Sequence, residues 1–170
     1  MKKRQIRPPS PAIFVFTVVS CLVLWRLFNA VDTPAVVSQT VTAQVVRVID
    51  GDTVELDDGR RVRLLGIDAT ELGYNGDPSE PGAEAARDWL EGRLTGKHVQ
   101  LRYGPERLDR YGRTLAWIFL PTGEFINKEL LAEGQARLVT RYGLPDDLSA
   151  ELHQATAQAQ VQHKGIWNND

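Results

Sequence analysis

A single cysteine, Cys21, stands among the 170 residues. No disulfide can form within the chain, and no cysteine-built zinc cluster is spelled out. Histidine is nearly as scarce. Only His98, His153 and His163 occur, with no His-Glu-x-x-His among them. His153 and His163 lie ten residues apart on one predicted helix and do not share a face at 3.6 residues per turn. All three read as surface or packing residues. Basic charge is short as well. Five of the 20 Lys and Arg residues (Lys2, Lys3, Arg4, Arg7, Arg26) fall in the first 30 positions, which carry no acid. Residues 31–170 keep 15 basic against 22 acidic side chains, a formal charge of −7. A broad basic face for gripping nucleic acid is thereby excluded, and any such contact must rest on a local patch. There is no internal repeat and no low-complexity tract.

Long apolar runs are also missing, apart from one near the start. Ala12 to Trp25 is fourteen residues without a charge, and Pro11 to Phe28, interrupted by Arg26, is eighteen. A span typically needs about 20 residues, so this segment lies at the lower limit, with Arg26 able to snorkel. The expectation is an N-terminal membrane anchor or signal segment over 1–28 and a linker over 29–40. A cleaved signal is the alternative, though cutting after Ala30 would leave bulky Phe28 at the third position back. Val18-Val19-Ser20-Cys21 faintly resembles a lipidation box. Four basic residues before the run and one after it predict an N-terminus in the cytoplasm and a domain outside.

What is present begins with β-branched patterning. Val41 to Ile49 and Thr53 to Leu56 read as strands, joined through the Asp-Gly of Asp57-Asp58-Gly59-Arg60 to a third over Arg61–Ile67. Its alternation puts Val62, Leu64 and Gly66 on one face and Arg61, Arg63 and Leu65 on the other. Leu72 to Gly82 is a polar loop. Ala83 to Leu94 reads as a helix with Ala86, Trp89, Leu90 and Leu94 inward, followed by a strand over Lys97–Tyr103. Gly104 to Gly112 reads as a charged loop, and Arg113 to Leu120 as the fifth strand. A short helix over Phe125–Glu133 is stopped by Gly134. A longer one over Asp146–His163 has acids in its first turn and His163 and Lys164 near its end. Trp89, Trp117 and Trp167 read as core. Domain and fold class follow: residues 41–168 form a β-barrel with helices (α+β), a five-stranded OB-fold with three helices.

The chemistry lies in three clusters: Ile49-Asp50-Gly51-Asp52-Thr53, Arg63-Leu64-Leu65-Gly66-Ile67-Asp68-Ala69-Thr70-Glu71, and Asp109-Arg110-Tyr111-Gly112-Arg113. Asp52 and Asp68 sit at strand ends that a barrel can bring together around a hard cation, and Asp50 adds negative potential. Asp-Gly-Asp alone is an ordinary turn. So few carboxylates imply weak calcium binding, satisfied at the roughly millimolar levels outside cells. Glu71 can reach a water on the metal as general base. Arg63 and Arg113 can clamp the charge that builds on a phosphodiester under attack. Arg107 and Arg110 are candidates for the local basic patch.

These residues resemble the staphylococcal nuclease (thermonuclease) family from about Val41 to Trp167. The match includes Ile-Asp-Gly-Asp-Thr, an aspartate five residues after Arg63, Glu71 three further on, Arg110-Tyr111-Gly112-Arg113 and the closing Gly165-Ile166-Trp167. The resemblance implies an OB-fold barrel with three helices and calcium-dependent cleavage of DNA and RNA. It implies Asp52, Asp68 and the carbonyl of Ala69 as Ca2+ ligands, Glu71 as base or water-orienter, and Arg63 and Arg113 as phosphate and transition-state arginines. Asp50 and Thr53 would stand behind the ligands. Arg110, Tyr111 and Tyr142 would face the substrate. Thr70 stands where the family usually has proline, Ala69 where threonine is common, and Thr140 where a second pocket tyrosine is usual. The expected function is thus a calcium-dependent nuclease, exported or membrane-anchored, with nucleic acid as partner. The alternatives are a catalytically silent OB module, favoured by the acidic domain and Thr140, and a phosphodiesterase for small nucleotides.

Overall fold

Alternating apolar residues build the barrel. The computed structural model describes residues 40–141 and 143–168. The expected anchor over 1–28, nearly all of the linker, and Tyr142 lie outside the described residues. Among the described residues no helix is long and apolar enough to cross a membrane. The strands are β1 (Thr40–Asp50), β2 (Thr53–Leu56), β3 (Arg61–Leu64), β4 (Ile67–Ala69), β5 (His98–Leu108), β6 (Thr114–Phe119) and β7 (Ala136–Leu138). The helices are α1 (Ala83–Leu94), α2 (Ile126–Ala132) and α3 (Asp146–Val161), with a 3-10 turn at Gly165–Trp167.

Five strands close in the order β1-β2-β3-β6-β5, with β5 returning to β1. All pairs are antiparallel except β3 with β6, which run parallel with Val62 opposite Thr114 and Leu64 opposite Ala116. The expected five-stranded OB-fold with three helices is therefore what forms. Val45, Val54, Leu56, Val62, Leu64, Val99, Leu101 and Ile118 fill the barrel, each at most 1% exposed. Burying a side chain of this size stabilises by about 1.5–3 kcal/mol. Helix α1 buries Ala83, Ala86, Leu90 and Leu94, a three- and four-residue spacing that puts them on one stripe.

Four expectations need correction. The third strand does not run through to Ile67. Gly66 adopts φ +68°, where a Cβ would also lie 2.4 Å from the Trp117 ring, and this kink splits it into β3 and β4. Segment β4 then leaves the barrel and pairs with β7, a strand without enough length to show a period. The charged loop expected from Gly104 is strand as far as Leu108, with the register against β6 shifting between Tyr103 and Leu108. Helix α3 ends at Val161, so His163 and Lys164 lie past its last turn rather than within it. Of the described tryptophans only Trp117 is fully buried. Trp89 and Trp167 are half-buried, with Arg93 5.3 Å from one ring and Arg137 4.6 Å from the other.

Asn127, wholly buried, repairs the gap where the third strand breaks. It accepts from Ile118 N–H at 2.9 Å and donates to the Leu65 carbonyl at 2.8 Å. Two elements are thus tied together beside the mouth of the barrel, at the point where the acidic segments emerge.

Candidate active site

The turn between β1 and β2 is packed from below. A Cβ on Gly51 would lie 2.7 Å from both the Ala69 and Ala86 Cβ atoms, so only glycine lets this turn settle against β4 and α1. That contact presses Asp52 into the protein, where it is 4% exposed. Its Oδ2 accepts from Ala69 N–H at 3.1 Å and pairs with Arg63 Nη1 at 2.8 Å. Its Oδ1 accepts from the Thr53 hydroxyl at 3.0 Å. Asp50 Oδ1 accepts the Asp52 N–H at 3.1 Å and fixes the turn.

Arg63 projects from the outward face of β3, as its alternation predicts. Its Nη1 also reaches the carbonyls of Ile67 (3.0 Å) and Leu64 (3.2 Å), while Nη2 pairs with Asp68 Oδ1 at 2.8 Å. One guanidinium therefore joins the two aspartates singled out in the sequence. Asp52 is enclosed and Asp68 is open, with 56% of its side chain exposed. Burial pushes the Asp52 carboxyl up to about 7, against the opposing pull of Arg63 and with further help from Asp50.

Glu71 follows β4 at the start of the polar loop. Its carboxyl is also pushed up, first by partial desolvation, then by Asp50, against Arg63, and then by Asp68 and Glu80. The backbone here is held by a reciprocal pair. Glu71 N–H donates to Glu80 Oε2 at 3.1 Å, and Glu80 N–H donates to the Glu71 carbonyl at 2.9 Å. Gly73 N–H donates to Ser79 Oγ at 3.2 Å within the same loop. Glu80 was not legible in the sequence, because a loop glutamate has no periodic signature. Thr70 Oγ1 is buried without a hydrogen-bond partner among the described residues.

Arg113 approaches from the other side. Its Nε pairs with Asp109 Oδ2 at 2.7 Å, and its Nη1 donates a long bond of 3.5 Å to Thr53 Oγ1. The Thr53 hydroxyl thus accepts from Arg113 and donates to Asp52. Asp109, present in the sequence motif without a role, organises this turn: its Oδ1 accepts the N–H groups of Tyr111 and Arg113, both at 2.9 Å. Burial would raise the Asp109 carboxyl, but the hydrogen bonds from Arg113 and Tyr111 outweigh it and hold the group below its ordinary value. Tyr111 is 67% exposed, with the Arg110 guanidinium 4.7 Å and that of Arg113 5.6 Å from its ring centre. Arg107 stacks instead on Tyr103, at 4.4 Å.

The geometry thus gathers Asp50, Asp52, Thr53, Arg63, Asp68 and the Ala69 N–H into one network, with Arg113 at its edge and Glu71 close enough to feel its charges. Thr140 lies exposed on the turn that follows β7. Among the described residues no three acidic, cysteine or histidine side chains already converge as a metal cage. The donor set nonetheless fits a hard cation. Asp50, Asp52, Asp68, Glu71 and Glu80 offer only oxygen, and the one guanidinium among them leaves an excess of negative charge that an oxygen-seeking divalent ion would relieve.

Comparison with known proteins bears on this arrangement. A family model described as "Staphylococcal nuclease homologue" matches residues 61–169. A thermonuclease of Staphylococcus hyicus is 39% identical over 132 residues, covering 75% of this chain and 76% of that protein. A thermonuclease of Staphylococcus intermedius is 40% identical over 126 residues, covering 72% and 74%. A micrococcal nuclease of Shigella flexneri is 33% identical over 137 residues, covering 74% and 73%.

Proposed function

Because this chain belongs to the staphylococcal nuclease family, we propose that it is a calcium-dependent nuclease that hydrolyses phosphodiester bonds of DNA and RNA. The observation that carries the reading is the single Arg63 guanidinium joined at 2.8 Å to both Asp52 and Asp68. It sets a phosphate-binding cation beside two carboxylates suited to a divalent ion, which is what an attacked phosphodiester needs at its centre. Asp52, Asp68 and the Ala69 carbonyl would hold calcium, with Asp50 and Thr53 fixing Asp52 from behind. When bound, the ion would supply a Lewis acid and a lowered pKa for water.

The protein's own groups then divide the work. Glu71, exposed and raised in pKa, takes a proton from the attacking water. Arg63 neutralises an equatorial phosphate oxygen from the barrel side, and Arg113, aimed by Asp109, does so from the opposite side. Arg110 and Tyr111 form the substrate's outer contact; Tyr142, the further substrate residue that the resemblance implies, lies outside the described residues. The reading extends to the amino terminus: the basic lead and apolar run over 1–28 anchor or export the domain to the side of the membrane where calcium is plentiful.

The test is cleavage of DNA and RNA by the purified protein and by Glu71→Gln, each with millimolar calcium and with chelator. Calcium-dependent cutting that falls about 10²–10⁴-fold in the variant is expected. An intact substrate with the folded parent protein and calcium would sink the assignment, and steeply salt-dependent binding without cutting would replace it with a silent OB module.

A further inference from the structure

The network around Arg63 accounts for one phosphate, yet the surface continues past it. A cleft of ≈ 760 Å³ runs from Glu71, Tyr111 and Arg113 to the β2–β3 hairpin, where Asp58, Gly59, Arg60 and Arg61 line it. Strand alternation links the two ends. Along β3 the pattern is exposed Arg61, buried Val62, half-buried Arg63, buried Leu64. Arg61 and Arg63 therefore stand on one outward face, about 7 Å apart along the strand. The pairing with β2 has the same rhythm: Thr53, which takes the Arg113 contact, is opposite Arg63, and Glu55 is opposite Arg61.

The two hairpin arginines differ in how far they are committed. Arg60 is held by Asp58 at 2.7 Å and by the Tyr103 hydroxyl at 2.9 Å. The Arg61 side chain donates no hydrogen bond to a described residue; it adds to the positive charge that lowers the Glu55 carboxyl across the strand pair, but the hydrogen bond of that carboxylate goes to Arg47, at 2.5 Å. In a domain whose residues 31–170 sum to −7, an exposed guanidinium on the wall of this cleft with its hydrogen-bond donors unused is the local positive charge that a polyanion would require.

We propose that β3 extends the active site along the bound nucleic-acid strand, with Arg61 holding the phosphate next to the one at Arg63. This rests on the nuclease reading for the chemistry at Arg63 but makes its own claim about Arg61. A small diester fills only the reaction end of the cleft. A strand also meets the hairpin, and each phosphate held there releases counterions.

The experiment is a fluorescence-anisotropy titration of the full chain with a short labelled single-stranded DNA in calcium, at salt from about 50 to 200 mM. A Glu71→Gln background keeps the DNA intact. Arg61→Ala is expected to lower the slope of log K against log salt by about 0.7, the contribution of one phosphate contact on a single strand. Arg61→Lys should restore the slope. Arg87→Ala, on the exposed side of α1, should leave it as in the parent. An Arg61→Ala slope equal to the parent's, or a loss matched by Arg87→Ala, overturns the strand path. DNA cleavage by the chain with Glu71 intact reads the nuclease assignment separately. Cutting with an unchanged slope overturns only the role of Arg61, and the absence of both cutting and binding overturns both.

Discussion

Asp52 with Arg63 and Glu71 with its loop sit at one site but are held in opposite ways. Arg63 is on a strand paired on both sides, and its guanidinium meets two carboxylates and two carbonyls. Asp52 is enclosed and accepts from Arg63, Thr53 and Ala69. Beyond β4 the density of such contacts drops. The Glu71 carboxylate accepts no hydrogen bond from a described residue, and its backbone is fixed chiefly by the exchange with Glu80. The groups that would stabilise charge are prebuilt in the barrel, where preorganisation carries most weight. The group that would move a proton is left on a segment able to adjust to water and substrate.

The largest break in this contrast should come from Arg63→Ala set against Glu71→Gln. Removing Arg63 takes from the enclosed Asp52, whose carboxyl stands at about 7 even with this partner, its charge-assisted hydrogen bond, a loss of about 1.5–3 kcal/mol. Urea unfolding should show a loss of that order, along with a fall of about 10²–10³ in kcat/KM. Glu71→Gln should lose as much activity while its unfolding midpoint stays within about 0.5 kcal/mol of the parent. Equal destabilisation by both would erase the difference between the two regions.

A smaller effect is expected at Glu80. Glu80→Ala deletes the acceptor for Glu71 N–H, worth about 1 kcal/mol locally, and should lower kcat about tenfold by misaiming the base. Glu80→Gln keeps an acceptor oxygen and should recover most of it. Hydrogen exchange over 71–82 should quicken in the alanine variant alone. Unchanged exchange would mean that the loop is held by something other than this pair.

The smallest effect concerns pH. Asp109 has a folded-state pKa below its unfolded value near 3.8, so its stabilisation is complete above about pH 5 and is lost as pH falls through the depressed value. Asp109→Asn should remove that part of the acid sensitivity, lowering stability at neutral pH by about 1 kcal/mol after allowance for solvent screening. The two proteins should converge on acidification. A constant gap between them from pH 7 to pH 3 would mean that Asp109 does not titrate as its contacts require.

Local pattern made much of this molecule legible, and partnership at a distance accounts for the rest. Alternation alone separates Val62 and Leu64 from Arg61 and Arg63, and the structure keeps that division. Helix α1 was readable from apolar spacing and α2 from its Gly134 stop. The splitting of the third strand at Gly66 was not, because the ring of Trp117 that crowds it lies 51 residues away. Nor was β7, three residues whose strand character exists only through pairing with β4. Gly104 and Pro105 read as loop because turn residues dominate there, while β6 draws them into an irregular ladder. At the site the residue types were visible, but their allocation was not. No spacing rule says that one guanidinium will serve both Asp52 and Asp68, or that Asp109 will aim Arg113.

The pairing of β4 with β7, Asp68 opposite Arg137 and Ala69 opposite Ala136, has a consequence for the order of synthesis. Asp52, Arg63, Asp68 and Glu71 are all made within the first 71 residues. The second strand that flanks β3, however, begins at Thr114, and the one that holds β4 ends at Leu138. A chain emerging from the ribosome therefore carries these reactive groups long before it owns the scaffold that brings them together. Such non-local pairings are also the slow ones to form. The site therefore cannot assemble until strands from the last third of the chain have been made and folded back.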